Sequence, residues 1–340
     1  MKGMKILYGI QGTGNGHITR SREVLRFLKE RGAEVDILLS ESHSEIDIGA
    51  EVKFRPRGLG FVFGKKGGID LLSSVRRMRP HNFFSNVKKL PVEDYDIVVS
   101  DFEPVTSWAC FLKGKKCVSL SHQTSFASDK TPRPAKIDRM GEAILCWYAP
   151  VSIPVGLHFQ KYDSFIETPV VRREVRERER TNAGHYTVYL PSFAPEKIEP
   201  FLRKVDVEWH LFSKHRSALD GRRGNVSVFP VNSGGFEKSL CSSEGVLCNS
   251  GFETPSEALF LGKKLLVIPM KGQYEQKCNA AALKQMGVRA AKVGDGFEGE
   301  IERFVNSPMP RGIEYPDNGG DIADRIFEAA DGGGTLRTAL

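Results

Sequence analysis

Asn249-Ser250-Gly251-Phe252-Glu253-Thr254-Pro255-Ser256-Glu257-Ala258-Leu259 is the stretch on which the reading of this 340-residue chain turns. The apolar run 245–249 predicts a strand, Gly251 a turn, and 252–261 a helix. A helix start leaves backbone N–H groups unpaired and carries partial positive charge, so it favours an anion. Ser250, Gly251 and Thr254 bring donors to that point, a set suited to a diphosphate. Thr254 and Glu257 are three apart and share a helix face. A phosphate beside Thr254 would set a ribose beside Glu257, whose carboxylate accepts from two vicinal hydroxyls. Capping-box chemistry accounts for the same spacing.

Outward from this block the second half alternates strand and helix. Strands are expected at 186–190, 207–212, 225–229, 245–249, 264–268 and near 288–292. Helices are expected at 195–204, 235–241, 252–261, 273–286 and about 320–330. Gly272-Gln273-Tyr274-Glu275-Gln276 opens a helix at the same rim, where Glu275 and Gln276 could bind sugar hydroxyls.

The first half repeats the pattern, with apolar runs at Lys5–Ile10, Val35–Leu39, Tyr95–Ser100, Lys116–Leu120 and 151–159. Ile18–Arg31 has helical spacing and stops at Gly32. Short β-rich runs between helices indicate parallel sheets covered on both faces. Arg172–Arg180, of dense alternating charge, reads as a solvated linker. The expected fold is therefore α/β: two doubly wound Rossmann-like domains, 1–165 and 185–340, joined by 166–184 and facing an interdomain cleft. Ligands in such sheets bind beyond the carboxyl ends of the strands. The loops after Ile10, Ser100, Leu120, Leu190, Phe212, Asn249 and Ile268 are thus the ones to watch.

After the first strand comes Gln11-Gly12-Thr13-Gly14-Asn15-Gly16-His17. Gly14 and Gly16 let a ligand approach the backbone closely. The loop is G-x-G-x-G, neither a dinucleotide fingerprint nor a P-loop, although Glu41 could serve as a dinucleotide site's acid. His17 stands at the strand-to-helix turn, and imidazole titrates near ~6.5, suited to a general base. Its alternative is a helix-start histidine bonding nearby backbone. Asp101, at the end of its strand, points at the same cleft and could orient His17; its alternative is a helix N-cap. His122, after the next strand, is a weaker candidate base.

The totals bound these readings. Hydrophobic residues make up 40% and charged residues 27%, ordinary for a globular cytosolic protein. No apolar run approaches a membrane span of ~20 residues, and the N-terminus lacks signal-peptide features. Cytoplasmic placement follows. Six scattered cysteines fit a reducing compartment and no zinc site. The net charge of +7 is concentrated in 53–89, where Lys53, Arg55, Arg57, Lys65, Lys66, Arg76, Arg77, Arg79, Lys88 and Lys89 face the single acid Asp70. That segment could meet a phosphate-bearing acceptor, a peripheral membrane surface or nucleic acid, or be a solvated basic face over core phenylalanines.

The stretch from Asn249 to Ala280 resembles the donor-binding signature of GT-B glycosyltransferases, including the UDP-glycosyltransferases and the peptidoglycan N-acetylglucosaminyltransferase. The shared features are Gly251, Phe252, Thr254, Glu257, Ala258, Gly262, Pro269, Glu275-Gln276 and Asn279-Ala280. Gly16-His17, with Arg20 after it, is similar to that superfamily's N-terminal loop. The resemblance implies that Glu257 binds the ribose, Ser250, Gly251 and Thr254 the diphosphate, and Glu275-Gln276 the donor sugar. Phe236 would frame the nucleobase, and His17 would be the base with Asp101 as partner. Two residues depart: Asn249 replaces a phosphate-binding histidine, and Glu253 puts an acid where a neutral side chain is usual.

The expected reaction is inverting, metal-independent transfer from a nucleotide-diphosphate sugar, with UDP-sugar as co-substrate and no permanently bound cofactor, to an acceptor hydroxyl. Lipid, glycan and small-molecule acceptors all fit. A sugar-nucleotide 2-epimerase of the same fold is the second expectation. A non-catalytic basic surface or nucleic-acid binder ranks last, and no nucleic-acid partner is expected.

Overall fold

A computed structural model describes residues 3–40, 48–56, 80–150, 152–214, 221–231 and 233–332. Among these, each half forms one seven-stranded sheet. The first contains β1 (Lys5–Gln11), β2 (Glu34–Ser40), β3 (Val52–Phe54), β4 (Ile97–Asp101), β5 (Cys117–Ser121), β6 (Ile153–Leu157) and β7 (Ile166–Glu167). All pairs are parallel, in the order β3-β2-β1-β4-β5-β6-β7. The second contains β8 (Tyr186–Tyr189), β9 (Trp209–Ser213), β10 (Gly221–Arg223), β11 (Val226–Pro230), β12 (Gly245–Asn249), β13 (Lys264–Ile268) and β14 (Arg289–Ala290). Its order is β10-β11-β9-β8-β12-β13-β14, parallel except at β10–β11.

The helices are α1 (Asn15–Glu30), α2 (Pro80–Lys89), α3 (Pro104–Lys113), α4 (Arg139–Trp147) and the short α5 (Arg173–Glu177). They continue with α6 (Pro195–Leu202), α7 (Ser233–Ser242), α8 (Glu253–Leu261), α9 (Tyr274–Gln285), α10 (Phe297–Val305) and α11 (Gly319–Ala330). β12 is buried along its whole length, as is β1 after Lys5. Their near-continuous apolar sequence is what burial on both faces requires. Strand order reverses between β1 and β4 in one sheet and between β8 and β12 in the other. These are the switch points where doubly wound sheets open a crevice. The loops after β1, β4, β8 and β12 meet there.

The segment 166–184 differs from the solvated linker that its charges suggest. Residues 166–167 form β7, and Val175 is fully buried. Arg172 pairs with Glu257 and Glu237, while Arg176 donates to the carbonyls of Tyr315 (2.9 Å) and Pro316 (2.6 Å). Arg180 lies over the Phe260 ring at 4.0 Å. Guanidinium groups satisfy carboxylates, carbonyls and aromatic faces while their stems pack, so a charged run can still be built into a structure. Glu174, Glu177 and Glu179 stay exposed.

The last described helix, expected with the second half, returns to the first and packs on α1 and β4. A Cβ on Gly319 would stand 2.4 Å from the Phe27 ring, so only glycine permits this approach. Arg31 Nε donates to Asp324 beside it at 2.7 Å.

Glu41 and residues 57–79 of the basic stretch lie outside the described residues. Among the described residues no helix is long and apolar enough to cross a membrane.

Candidate active site in the interdomain cleft

Gly14, in extended conformation, precedes α1 and places His17 in its first turn. His17 Nδ1 lies 2.8 Å from Oδ1 of Asp101, the fully buried last residue of β4. Burial alone would raise the Asp101 carboxyl. Arg20, and then His17, overcome this and hold it below its ordinary value. An ionised carboxylate only accepts, so the proton belongs on Nδ1 and the lone pair is left on Nε2. Arg20 holds the acid beside His17, through its η nitrogen to Oδ1 (2.6 Å) and Nε to Oδ2 (3.1 Å), and the same η nitrogen lies 3.1 Å from His17 Nδ1. Ser21 Oγ adds a contact at 3.3 Å. The N-cap role considered for Asp101 falls to Glu103, which accepts from the amides of Val105 (3.0 Å) and Thr106 (2.6 Å).

Immediately after Asp101 the chain turns through Phe102 at φ 52, a left-handed conformation unusual for a large side chain. Its ring is nearly parallel to that of His17, at 8° with centroids 6.5 Å apart, and meets Tyr148 at 4.9 Å. Backbone held this way costs on the order of 1 kcal/mol or more and persists only where its surroundings demand it.

Two cavities open between the sheets. One, of about 480 Å³, is lined by His17, Phe102, Met140, Tyr148, Tyr274 and Glu275, among others. The other, of about 830 Å³, is lined by Arg172, Phe236, Asn249, Thr254, Glu257 and Gln276, among others. Gly14, Gly16, Gly251, Phe252 and Glu253 border both, so the cavities meet where the first glycine loop faces the start of α8.

The second-half residues are not equally disposed. The N-cap of α8 is Phe252, with no side-chain cap, so Thr254 and Glu257 form no capping box. Space beside Gly251 is open. Ser250 differs from the diphosphate donor expected of it: its fully buried hydroxyl turns inward and donates to the Gln276 carbonyl (2.8 Å), tying β12 to α9. Asn249 accepts from Ser192 (3.0 Å) and donates to the Ile268 carbonyl (2.8 Å), fixing the neighbouring loops. Glu257 is held by Arg172, from Nε at 2.5 Å and an η nitrogen at 2.8 Å. Glu275 faces the smaller cavity and accepts from Gln123 (2.9 Å), whereas Gln276 faces the larger and accepts from the Met270 amide (3.0 Å). Phe236 packs beside Tyr189 and Phe212, both at 5.3 Å.

His122 does not present a base. Nδ1 bonds the Leu157 carbonyl (2.8 Å), Nε2 bonds Asn279 (2.7 Å), and the ring stacks on Phe252 at 4.1 Å. It is a buried strut from the first sheet to the second. The one aspartate pair of Asp-x-Asp form ahead of β4, Asp94-Tyr95-Asp96, leads into the amino end of that strand, remote from the cleft. There Asp96 accepts from the Lys5 amide at 2.7 Å.

Glu253 crosses the cleft to Arg20, with which it forms an ion pair. Burial pushes its carboxyl up to about 7 against the pull of Arg20. The local sequence carries no sign of what Arg20, Arg172 and Phe102 do: the partners of Arg20 lie 81 and 233 residues away, Arg172 sits in a run of like residues, and nothing beside Phe102 marks its conformation.

Two doubly wound sheets closing on a cleft, with His17 at its edge and Asp101 behind it, give the architecture of the GT-B fold. Solved structures sharing the fold include Acinetobacter baumannii MurG, with a TM-score of 0.60 and 13% identity over 96% of this chain and 99% of that one. A UDP-glucosyltransferase from Polygonum tinctorium gives 0.62 at 13% identity, over 98% and 94% of the two chains. Arabidopsis thaliana UGT89C1, solved with UDP, gives 0.59 at 12%, over 97% and 96%. An uncharacterized glycosyltransferase of Methanosarcina mazei is 24% identical over 336 residues, 84% of each chain. The Glycosyl transferase family 1 profile matches residues 4–308, and the chain belongs to that family. It is a glycosyltransferase.

Proposed function

We propose that the enzyme transfers a sugar, with inversion, from a uridine diphosphate sugar in the larger cavity to an acceptor hydroxyl in the smaller one. The observation that carries this reading is the His17–Asp101 pair at 2.8 Å, bordering the smaller cavity where it joins the larger. Nε2 of His17 takes the acceptor's proton as its oxygen bonds to the anomeric carbon. The bond from that carbon to the diphosphate breaks, and the diphosphate leaves with the electron pair. Asp101 stabilises the resulting imidazolium.

Charge growing on the leaving diphosphate meets the first amides of α8 and the hydroxyl of Thr254, a preorganised role that requires no metal. Glu257 binds the ribose through lone pairs that Arg172 leaves over, since each carboxylate oxygen accepts twice. Phe236 frames the base, Gln276 contacts the donor sugar, and Glu275 stands on the acceptor side. UDP in the Arabidopsis structure supports the choice of nucleotide. The second cavity favours transfer over 2-epimerisation, which needs no acceptor.

His17→Ala should lower turnover by roughly 10²–10⁴-fold, the usual worth of a positioned base. UDP binding by thermal shift should be retained. Unchanged turnover removes His17 from the mechanism, and epimerised product from donor alone rejects transfer.

A further inference from the structure

Arg20 stands at the centre of the cleft with its side chain only 2% exposed, and its guanidinium is divided between the halves of the molecule. Nε and one η nitrogen hold Asp101, while the other η nitrogen holds Glu253. Glu253 is the first residue of α8 and borders both cavities. Its fit depends on Gly16: a Cβ there would stand 2.8 Å from Glu253 Cγ. The glycine loop thus admits this acid to the junction.

We propose that Glu253 is a positioning residue that ties His17 to closure of the donor half. It fixes the free side of Arg20; Arg20 fixes Asp101 and lies 3.1 Å from His17 Nδ1, and Asp101 fixes the imidazole. Opening the cleft withdraws the carboxylate and releases the chain of contacts, so the base is set only when the halves are together. This rests on the proposed role of His17. Such coupling confines proton abstraction to the closed state, where the donor is shielded from water.

Glu253 has a second effect. It stands at the helix start that receives the diphosphate, so its negative charge opposes donor binding. The charged groups facing it are Arg20, Glu257, Asp101 and His17. Turnover and donor affinity should therefore move in opposite directions when its charge is removed, which loss of folding would not produce.

The test compares Glu253→Gln and Glu253→Asp with the native enzyme. Binding of UDP-glucose, whose diphosphate does not titrate between about pH 6 and 8, is measured by calorimetry alongside steady-state turnover. Glu253→Gln should cut kcat roughly 10- to 100-fold, as for other small misplacements of reacting groups. Its UDP-glucose affinity should hold or improve, and should weaken less with rising pH than that of the native enzyme. Glu253→Asp, shorter by one methylene but still charged, should lose similar turnover while keeping that pH dependence. Unchanged kcat in both variants overturns the proposal, as does a joint fall of kcat and affinity. If the native enzyme binds UDP-glucose with this pH dependence yet His17→Ala turns over normally, the assignment of the base fails, not the electrostatic role of Glu253.

Discussion

Arg172, from the segment joining the two sheets, holds Glu257 through Nε at 2.5 Å and an η nitrogen at 2.8 Å, and reaches Glu237 with its remaining nitrogen at 2.5 Å. One arginine therefore pairs with two largely buried acids on α8 and α7, at the wall of the larger cavity, and offsets the charge of only one of them. Burial raises Glu237 above the usual carboxylate range, so without Arg172 it would take up a proton more readily.

Removing this cation leaves two carboxylates in a poor dielectric. Arg172→Met should lower unfolding free energy by about 3–5 kcal/mol, the usual penalty for breaking a buried pair from one side. Adding Glu237→Gln and Glu257→Gln should restore most of it. Urea unfolding decides the matter: a single variant as stable as the native chain would mean that Arg172 contributes nothing there.

Gly16 offers the reverse separation of stability from activity. Alanine is a better helix-interior residue than glycine by about 1 kcal/mol, which in the first turn of α1 offsets part of what displacing Glu253 costs, so Gly16→Ala should change the melting temperature little. Its methyl would meet Glu253 Cγ at 2.8 Å and hold the halves apart. Turnover should drop roughly tenfold or more, as for a reacting geometry spoiled by a fraction of an ångström to an ångström. Full activity with the methyl in place would show that Glu253 yields.

Glu253 also sets a pH dependence of stability. Its folded carboxyl is raised to about 7 from the usual 4.5. Between those values the folded state keeps a proton that the unfolded chain has released, so this group makes stability fall as pH rises. The penalty is absent below 4.5 and complete above about 7. Denaturant titrations across that window should show a flatter profile for Glu253→Gln. Parallel curves for the two proteins would mean that the carboxyl is not raised.

Much of the fold was legible because buried parallel strands and amphipathic helices leave periodic apolar patterns. The runs at Lys5–Ile10, 245–249 and 264–268 are strands within a residue of expectation. β3, β7 and β10 span three residues or fewer and give no period to detect. The charge run at 172–180 misled because composition does not reveal which arginines find partners; Arg172 meets Glu257 85 residues away.

In the site, the glycine loop with His17 and the turn at Gly251 could be found locally, since each is a strand end followed by a helix start. Side-chain direction could not. Ser250 and Thr254 are both hydroxyl residues beside that turn, yet one points into packing and the other borders the cavity.

The amino-acid sequence by itself determined two doubly wound domains and the loops at their carboxyl ends, because strand and helix periodicity are properties of neighbouring residues. Only the tertiary structure decided that Arg20 joins Asp101 to Glu253, that Arg172 holds Glu257, and that His122 is a strut. Those are pairings between residues 81 to 233 positions apart, made by charges and hydrogen-bonding groups that become partners only once the sheets have packed.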